Sequence, residues 1–534
     1  MLAAMAGVSI SCFGANGDDD DDDDDDAANA GDDDGYDDDD FAGDDDGGWD
    51  DDGDWSDDDM GGDDDDWWDD DIDDDDTVED PQIVCPDETQ DTVLFLSADD
   101  SNSQASPVVA RRLILDGYIV PRRYLRTYEF TNYYQIDYPF PAEGRINVVP
   151  QLRLLDDGSD DGFSTYTFQI GAQSHSLAHA SGRHLNVTFS LDTSGSMTGA
   201  PIARLRYVAR AIAARLKAGD IVSLVEWDQS TSVVLEAHVV DGPNDATLLA
   251  AIDGLEEGGS TDLHGGLVRA YQLAADHFDE TRMNRVVLIS DGWANTGVTD
   301  VELIAEAADD SEGEGIYLLG VGVGDADYYN EQLMDDVTDA GKGAYIFIDT
   351  QAEADKQFGD RFQENMEIAA MAVRVRLQMP YYPVMEEFHG EEYSENPQEV
   401  EPQHLGPNDA MVFHQFLAVC DGDLFQDGDV INVRAEYTHP VTRAAQTDEA
   451  EFSIAQLLAA DADQLVKGDA IVSYAEALKE IDRLGDEGDW DGASTACADA
   501  HTKVQAAATQ LGDTELEEIA DLLETYQDTI EYRR

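Results

Sequence analysis

The sequence predicts a doubly wound, mostly parallel α/β sheet (Rossmann-like) over residues 184–368. It is flanked by an N-terminal α+β region, a small antiparallel β region and C-terminal helices. Three observations carry this. Between 184 and 368, short apolar runs alternate with amphipathic stretches of helical period, the pattern of strands covered by helices on both faces. After residue 369 the period drops to two, in runs separated by Pro, Gly and acid. From 454 it becomes helical and stays so.

The elements follow in order. Residues 1–17 form an uncharged, small-residue start in which Ser9-Ile10-Ser11 precedes Cys12. This resembles the end of a bacterial lipoprotein signal, with Cys12 as the lipidated residue. It departs from that pattern in lacking a basic n-region, in having Ser9 where Leu is usual, and in its shortness, which a start codon assigned too late would explain. Residues 18–91 read as a disordered tether. Positions 18–80 hold 39 acidic side chains and no Lys or Arg. Such a segment buries too little apolar surface to offset the entropy of ordering it, and its charges repel. Fully stretched it would reach on the order of 200 Å. Trp49, Trp55, Trp67 and Trp68 are read as aromatics tolerated in a solvated chain.

Composition bounds the function. The 534 residues contain 121 Asp+Glu against 29 Lys+Arg, a formal charge of −92. That sign excludes a binder that works by neutralising nucleic-acid phosphates. No apolar run reaches about 18 residues, so membrane association is expected only through a lipid anchor. Cys12, Cys85, Cys420 and Cys497 are too few and too scattered for a disulfide framework or a CxxC metal site. Outside residues 18–80, 82 acids still face the same 29 bases, and only six of those are Lys. A surface of this kind fits a saline or halophilic host.

Residues 92–183 form an N-terminal region with strands at 92–97, 148–155 and 165–170, a helix at 106–116, and a Tyr-rich stretch at 128–141 read as core. In the region 184–368, strands are expected at 185–191, 221–227, 233–239, 285–290, 316–321 and 344–348. Helices fit 203–217, 245–255, 263–278, 300–309, 329–340 and 353–368. In open sheets of this class, ligands sit beyond the carboxyl ends of the strands, near the switch in strand order.

Three loops at strand ends hold unusual polar chemistry. The first is Asp192-Thr193-Ser194-Gly195-Ser196, a D-x-S-x-S pattern; the second is Gly258-Gly259-Ser260-Thr261-Asp262; the third is Ser290-Asp291-Gly292. Any one alone reads as turns and helix caps. All three, each after a strand of one alternating array, read as a convergent all-oxygen site. Its two carboxylates and three hydroxyls, Asp192, Asp291, Ser194, Ser196 and Thr261, suit Mg²⁺, Mn²⁺ or Ca²⁺ and not zinc. Asp262 is read as the cap of the following helix. Gly320-Val321-Gly322-Val323-Gly324 lacks GxGxxG spacing and is read as a strand end that needs glycine for close packing.

On these loops, residues 185–360 resemble a von Willebrand factor type A domain with its metal-ion-dependent adhesion site. The resemblance implies that Ser194 and Ser196 ligate the metal directly and Thr261 directly or through water. It further implies that Asp192 and Asp291 act mainly through water, and that a partner's Asp or Glu fills the open position. The flanking segments resemble a bacterial lipoprotein group that carries an N-terminal extension before this domain, with Arg111-Arg112, the Tyr128–Tyr138 stretch and Pro139 in the matching part.

Residues 369–453 read as a β-rich region with strands at 372–379, 411–419 and 430–437. Asp421, Asp423, Asp427 and Asp429 miss EF-hand spacing and read as a hairpin turn. Residues 454–534 read as a helical array (463–484, 490–511, 514–532) broken at Gly485, Gly488 and Gly512. No HExxH, GxSxG or P-loop motif occurs, and no enzyme is expected. The leading expectation is an outward-facing, lipid-anchored adhesion or assembly module of the cell envelope that captures a partner carboxylate through a divalent cation. The alternatives are a cytoplasmic subunit of an ATPase- or chelatase-type complex and a structural envelope protein.

If the acidic surface is an adaptation to salt, the denaturant midpoint should be higher in molar NaCl than in dilute buffer. An unchanged midpoint would remove the halophilic expectation.

Overall fold

The computed structural model describes residues 90–99, 101–157, 163–292, 315–324, 333–334, 337–338, 341, 343–419, 425–426 and 428–534. The expected lipidation site Cys12, the tether up to residue 89 with its tryptophans, Cys85 and Cys420 lie outside the described residues. So do the expected helix at 300–309 and Asp421, Asp423 and Asp427.

Strands β1 (Thr92–Ser97), β2 (Asn147–Asp157) and β3 (Ser164–Gln173) precede the central sheet. That sheet comprises β4 (Leu185–Asp192), β5 (Ile221–Trp227), β6 (Thr231–Val239), β7 (Met283–Ser290), β8 (Ile316–Gly322) and β9 (Ala344–Phe347), in the order β6-β5-β4-β7-β8-β9. Every pairing is parallel except that of the edge strand β6 with β5. β4 and β7 flank the point where strand order reverses. β4, β7 and β8 are buried along their whole length, as a sheet covered on both faces requires, while the edge strand β6 is not.

On one face, Val187, Phe189 and Leu191 of β4 pack with Leu205, Val208 and Ile212 of α3 (Ala200–Ala213) and with Leu248 and Ile252 of α4 (Ala246–Asp253). On the other, α5 (Leu263–Asp276) buries Leu263, Leu267 and Ala270 against Val225, Trp227, Val286 and Leu288. That second core runs on without a break into α1 (Ala105–Leu115), α2 (Thr127–Tyr133) and the C-terminal helices.

The segments before and after the central sheet, consecutive regions in the sequence reading, share sheets. β1 pairs antiparallel with β10 (Ala370–Met379), Leu94 opposite Leu377. β2 and β3 continue into β14 (Ala410–Val419) and β11 (Pro383–Phe388), while β15 (Val430–Thr438) and β16 (Ala445–Ser453) extend the sheet of β10. The short strands β12 (Glu392–Ser394) and β13 (Gln403–Leu405) pair with β1 and β10. A third core, with Leu96, Phe168, Ile170, Val375, Phe413 and Val433, fills the space between the two sheets.

The expected helix at 353–368 is instead broken. α6 (Gln351–Asp355) leads into a π-type turn at Lys356–Asp360, Arg361 leaves helical geometry, and α7 (Phe362–Met366) follows. The bulge re-aims Arg361, a usual role of such turns. Its buried guanidinium donates to Gln104 Oε1 (2.6 Å), Tyr133 O (3.1 Å), Asn132 O (3.2 Å) and Glu364 Oε2 (2.5 Å). In the helical region, α8 (Ile454–Ala459) precedes α9 (Asp463–Glu487), α10 (Trp490–Leu511) and α11 (Thr514–Arg533). Gly488 and Gly512 end helices in left-handed geometry, as expected, but Gly485 does not break one. It lies inside α9, where a Cβ would come within 2.9 Å of the Trp490 ring.

The N-terminal segment is stapled to the central sheet through Arg111. Its guanidinium donates to Asp349 Oδ1 and Glu353 Oε2, both at 2.9 Å, and to Tyr133 OH at 2.8 Å. Both carboxylates are nearly inaccessible. Arg111→Met strands two buried charges and should lower the unfolding free energy by about 3 kcal/mol, with Arg111→Lys intermediate, measured by urea denaturation.

Candidate metal centre

Asp192 is the last residue of β4 and is fully buried. Its Oδ1 accepts from the Ser194 amide (2.9 Å), which bends the chain back at the strand end, and its Oδ2 accepts from Ser290 Oγ (2.7 Å). Ser290 Oγ in turn accepts from the Gly292 amide (3.0 Å), so the third loop folds around the first loop's carboxylate. After Ser194 the chain makes a 3-10 turn, Gly195–Met197, anchored by the buried Met197. Ser194 Oγ lies 3.0 Å from Ser196 Oγ; Ser194 is buried and Ser196 is exposed at the mouth.

The second loop is laced to the first by backbone. The Gly258 amide donates to Thr193 O (2.8 Å) and the Gly195 amide to Gly259 O (3.1 Å). Thr193 is fixed in addition by its amide and hydroxyl, both donating to Trp227 O. The Asp262 amide donates to Asp228 O (2.8 Å), and Asp262 Oδ1 accepts from the Gly265 amide (3.0 Å), the helix-capping role expected for it. Thr261, buried, sits between these ties.

Asp192, Ser194 and Ser196 thus form one hydrogen-bonded chain. Asp291 is buried and close enough to repel the Asp192 carboxylate, and the loop of Thr261 is bonded to Thr193 and Gly195. Burial first, and Asp291 second, push Asp192 up to about 7, against the stabilising donors from Ser194 and Ser290. Two mutually repelling buried carboxylates with three hydroxyls suit a hard divalent cation by donor chemistry.

Two positions were missed from the sequence. Ser290 reads from the sequence only as part of a loop, yet it orients Asp192; its place as the last residue of a strand beside Asp291 is the available signal. Asp228, just beyond β5, supports the second loop and carried no motif. Gly320 does not belong to a nucleotide loop: a Cβ there would collide with the Thr338 methyl, so glycine is needed for close packing.

Residues 186–360 match the family model of the von Willebrand factor type A domain. The central sheet has the von Willebrand factor type A fold. Two curated relatives align. The uncharacterized protein YfbK of Escherichia coli (strain K12) is 27% identical over 286 residues, 52% of this chain and 48% of the relative. The uncharacterized protein sll0103 of Synechocystis sp. (strain ATCC 27184 / PCC 6803 / Kazusa) is 26% identical over 230 residues, 43% of this chain and 53% of the relative. The chain therefore spans about half the length of the curated relatives it matches. A solved von Willebrand factor type A structure from Catenulispora acidiphila covers 72% of this chain and 91% of its own, at 15% identity and a TM-score of 0.45.

In this type A domain, Gly259 has φ +83°, and a Cβ would lie 2.6 Å from Asp228 Oδ2. Gly259→Ala should destabilise the fold by about 1–3 kcal/mol and speed amide exchange at Gly195 and Gly258, read by thermal melting and hydrogen exchange.

Proposed function

We propose that the type A domain is a metal-dependent protein-binding module. On this reading Asp192, Ser194, Ser196, Thr261 and Asp291 form a metal-ion-dependent adhesion site for Mg²⁺, with Mn²⁺ and Ca²⁺ as the other hard candidates. When bound, the cation supplies an electron-poor open coordination position for the Asp or Glu of a protein ligand. The chain's own groups do the rest. Ser194 N–H and Ser290 Oγ fix the Asp192 carboxylate, and the laced backbone holds the second loop against the first. Exposed Ser196 marks the side from which a ligand would approach.

The observation that carries the reading is the burial of two carboxylates, Asp192 and Asp291, at the switch point of a parallel sheet. Their repulsion is costly in isolation and is relieved by a dication. The reading assigns no catalytic group. It places the module at the cell envelope, held by lipid on Cys12 and extended by the Asp-rich tether; this part rests on sequence alone.

Saturating Mg²⁺, at about 100 times its dissociation constant, should stabilise the wild type by roughly 2.7 kcal/mol and leave Asp192→Ala unchanged. Capture of a carboxylate-bearing partner should be lost in EDTA and in Asp192→Ala while that variant's melting in metal-free buffer stays near wild type. Loss of folding in Asp192→Ala would instead support a structural role, and an unchanged response to Mg²⁺ would overturn the proposal.

A further inference from the structure

β11 ends at Phe388, and the next residue, His389, turns inward, its amide donating to His414 O at 2.9 Å. The His389 imidazole is buried, with only 5% of the residue exposed. Its Nδ1 lies 3.4 Å from Glu476 Oε1 on α9 and its Nε2 3.7 Å from Glu387 Oε2. Nε2 has no hydrogen-bond partner. One ligand atom from each of Glu387, His389 and Glu476 falls within 4.8 Å of the others. Behind His389 stands His414, fully buried, its ring 5.8 Å away, with Nδ1 beside Gln169 Oε1 at 2.9 Å.

A buried imidazole nitrogen 3.7 Å from a carboxylate oxygen is too far for a hydrogen bond, and buried polar atoms are seldom left without one. The same spacing suits two ligands of one ion. With metal–ligand distances near 2.1 Å, neighbouring ligands stand roughly 3.0–3.4 Å apart. Nε2 and Glu387 are within a few tenths of an ångström of that spacing, while Glu476, which faces Nδ1, lies within 4.8 Å and must close by up to about 1.4 Å to share the ion. Glu476 is held in place by Thr127, whose hydroxyl donates to its Oε1 at 2.5 Å. The cation now at this carboxylate is Lys479 Nζ, 3.0 Å from Glu476 Oε1 and 2.7 Å from Thr127 Oγ1. Its side chain is one-third exposed.

We infer that Glu387, His389 and Glu476 form a second metal site, for a borderline divalent transition ion of the Zn²⁺ or Co²⁺ class. The site opens to solvent on the exposed Glu387 side and ties the end of β11 to α9. An imidazole nitrogen separates it chemically from the all-oxygen donors around Asp192, since imidazole favours Zn²⁺ and Co²⁺ over Mg²⁺ and Ca²⁺. Lys479 is the resident competitor, so its removal should tighten binding rather than weaken it.

The test is equilibrium dialysis and calorimetry of the full chain with Zn²⁺, and absorption spectroscopy with Co²⁺. Molar NaCl would suppress loose binding by the aspartate runs. Glu387→Gln and His389→Ala should each lose one tightly bound ion per chain, or weaken it by at least tenfold and a hundredfold respectively. Asp192→Ala should retain it, millimolar Mg²⁺ should not displace it, and Lys479→Met should bind about tenfold tighter. Glu387 is exposed, so its variant tests the site without threatening the fold. Unchanged zinc stoichiometry and affinity in Glu387→Gln and His389→Ala, or displacement by Mg²⁺, would overturn the inference. Either result leaves the reading of the Asp192 site untouched.

Discussion

A carboxylate buried beside another carboxylate is the constraint around which the central sheet is arranged. Asp192 ends the middle strand, where both neighbouring strands are parallel and helices cover both faces, so water has little access to it. Desolvation alone would favour the protonated acid, and Asp291 pushes in the same direction. The fold answers with two donors, Ser194 N–H and Ser290 Oγ, and with a lattice of backbone hydrogen bonds that leaves the loops little room to spread. An arrangement that places like charges together, and then prevents them from separating, is expensive to keep without a cation to share. That is the physical reason for reading these loops as a binding site and not as three capped turns.

The rest of the described chain supports that sheet from the side. The segment before it and the segment after it interleave in two antiparallel sheets, so the type A fold is clasped at both of its ends by one β structure. Gln104 works at the joint: its amide donates to Tyr345 O (2.8 Å) on β9, and its side-chain oxygen receives Arg361 and Gln357. Arg111 and Arg361 therefore do the same kind of work from opposite directions, one reaching into the sheet's last loop and the other reaching out of it. A rigid clasp suits a module whose loops must hold a fixed geometry.

What the sequence reveals and what it hides divide along physical lines. Parallel strands buried on both faces are continuous apolar runs, and 185–191, 221–227 and 316–321 were legible to within one or two residues. The grouping of the three polar loops was legible because Asp and Ser at fixed spacing after such runs are rarely all turns. Pairing across long sequence separation was not legible: nothing local in Thr92–Ser97 says that its partner is Ala370–Met379. β16, a polar edge strand with alternating exposure, carries little hydrophobic signal, and three-residue strands carry almost none. The break at 356–361 was hidden because its cause is tertiary. Arg361 is drawn out of the helix by Gln104 and by the carbonyls of Asn132 and Tyr133, all more than 200 positions away. Gly485 misled for a similar reason: the residue that needs its missing Cβ, Trp490, sits beyond the helix end.

The placement of the few cations completes the argument. Arg204 lies in α3 with its guanidinium on the carbonyls of Val323, Gly324 and Asp349. Arg285 holds those of Leu318 and Met366, and Lys467 pairs with Asp513 and Glu515 at the α9–α11 joint. With Arg111 and Arg361, these bases act as internal cross-links, and exposed ones such as Arg122, Arg153, Arg483 and Lys503 already sit beside carboxylates of the chain. The surface has little positive charge of its own to offer a partner's carboxylate, and its field repels one at a distance. If the chain binds an acidic side chain, as proposed, the attraction must therefore be concentrated in a bound dication at one point. Partner recognition would then depend on metal to a degree that a protein with ordinary surface lysines would not show.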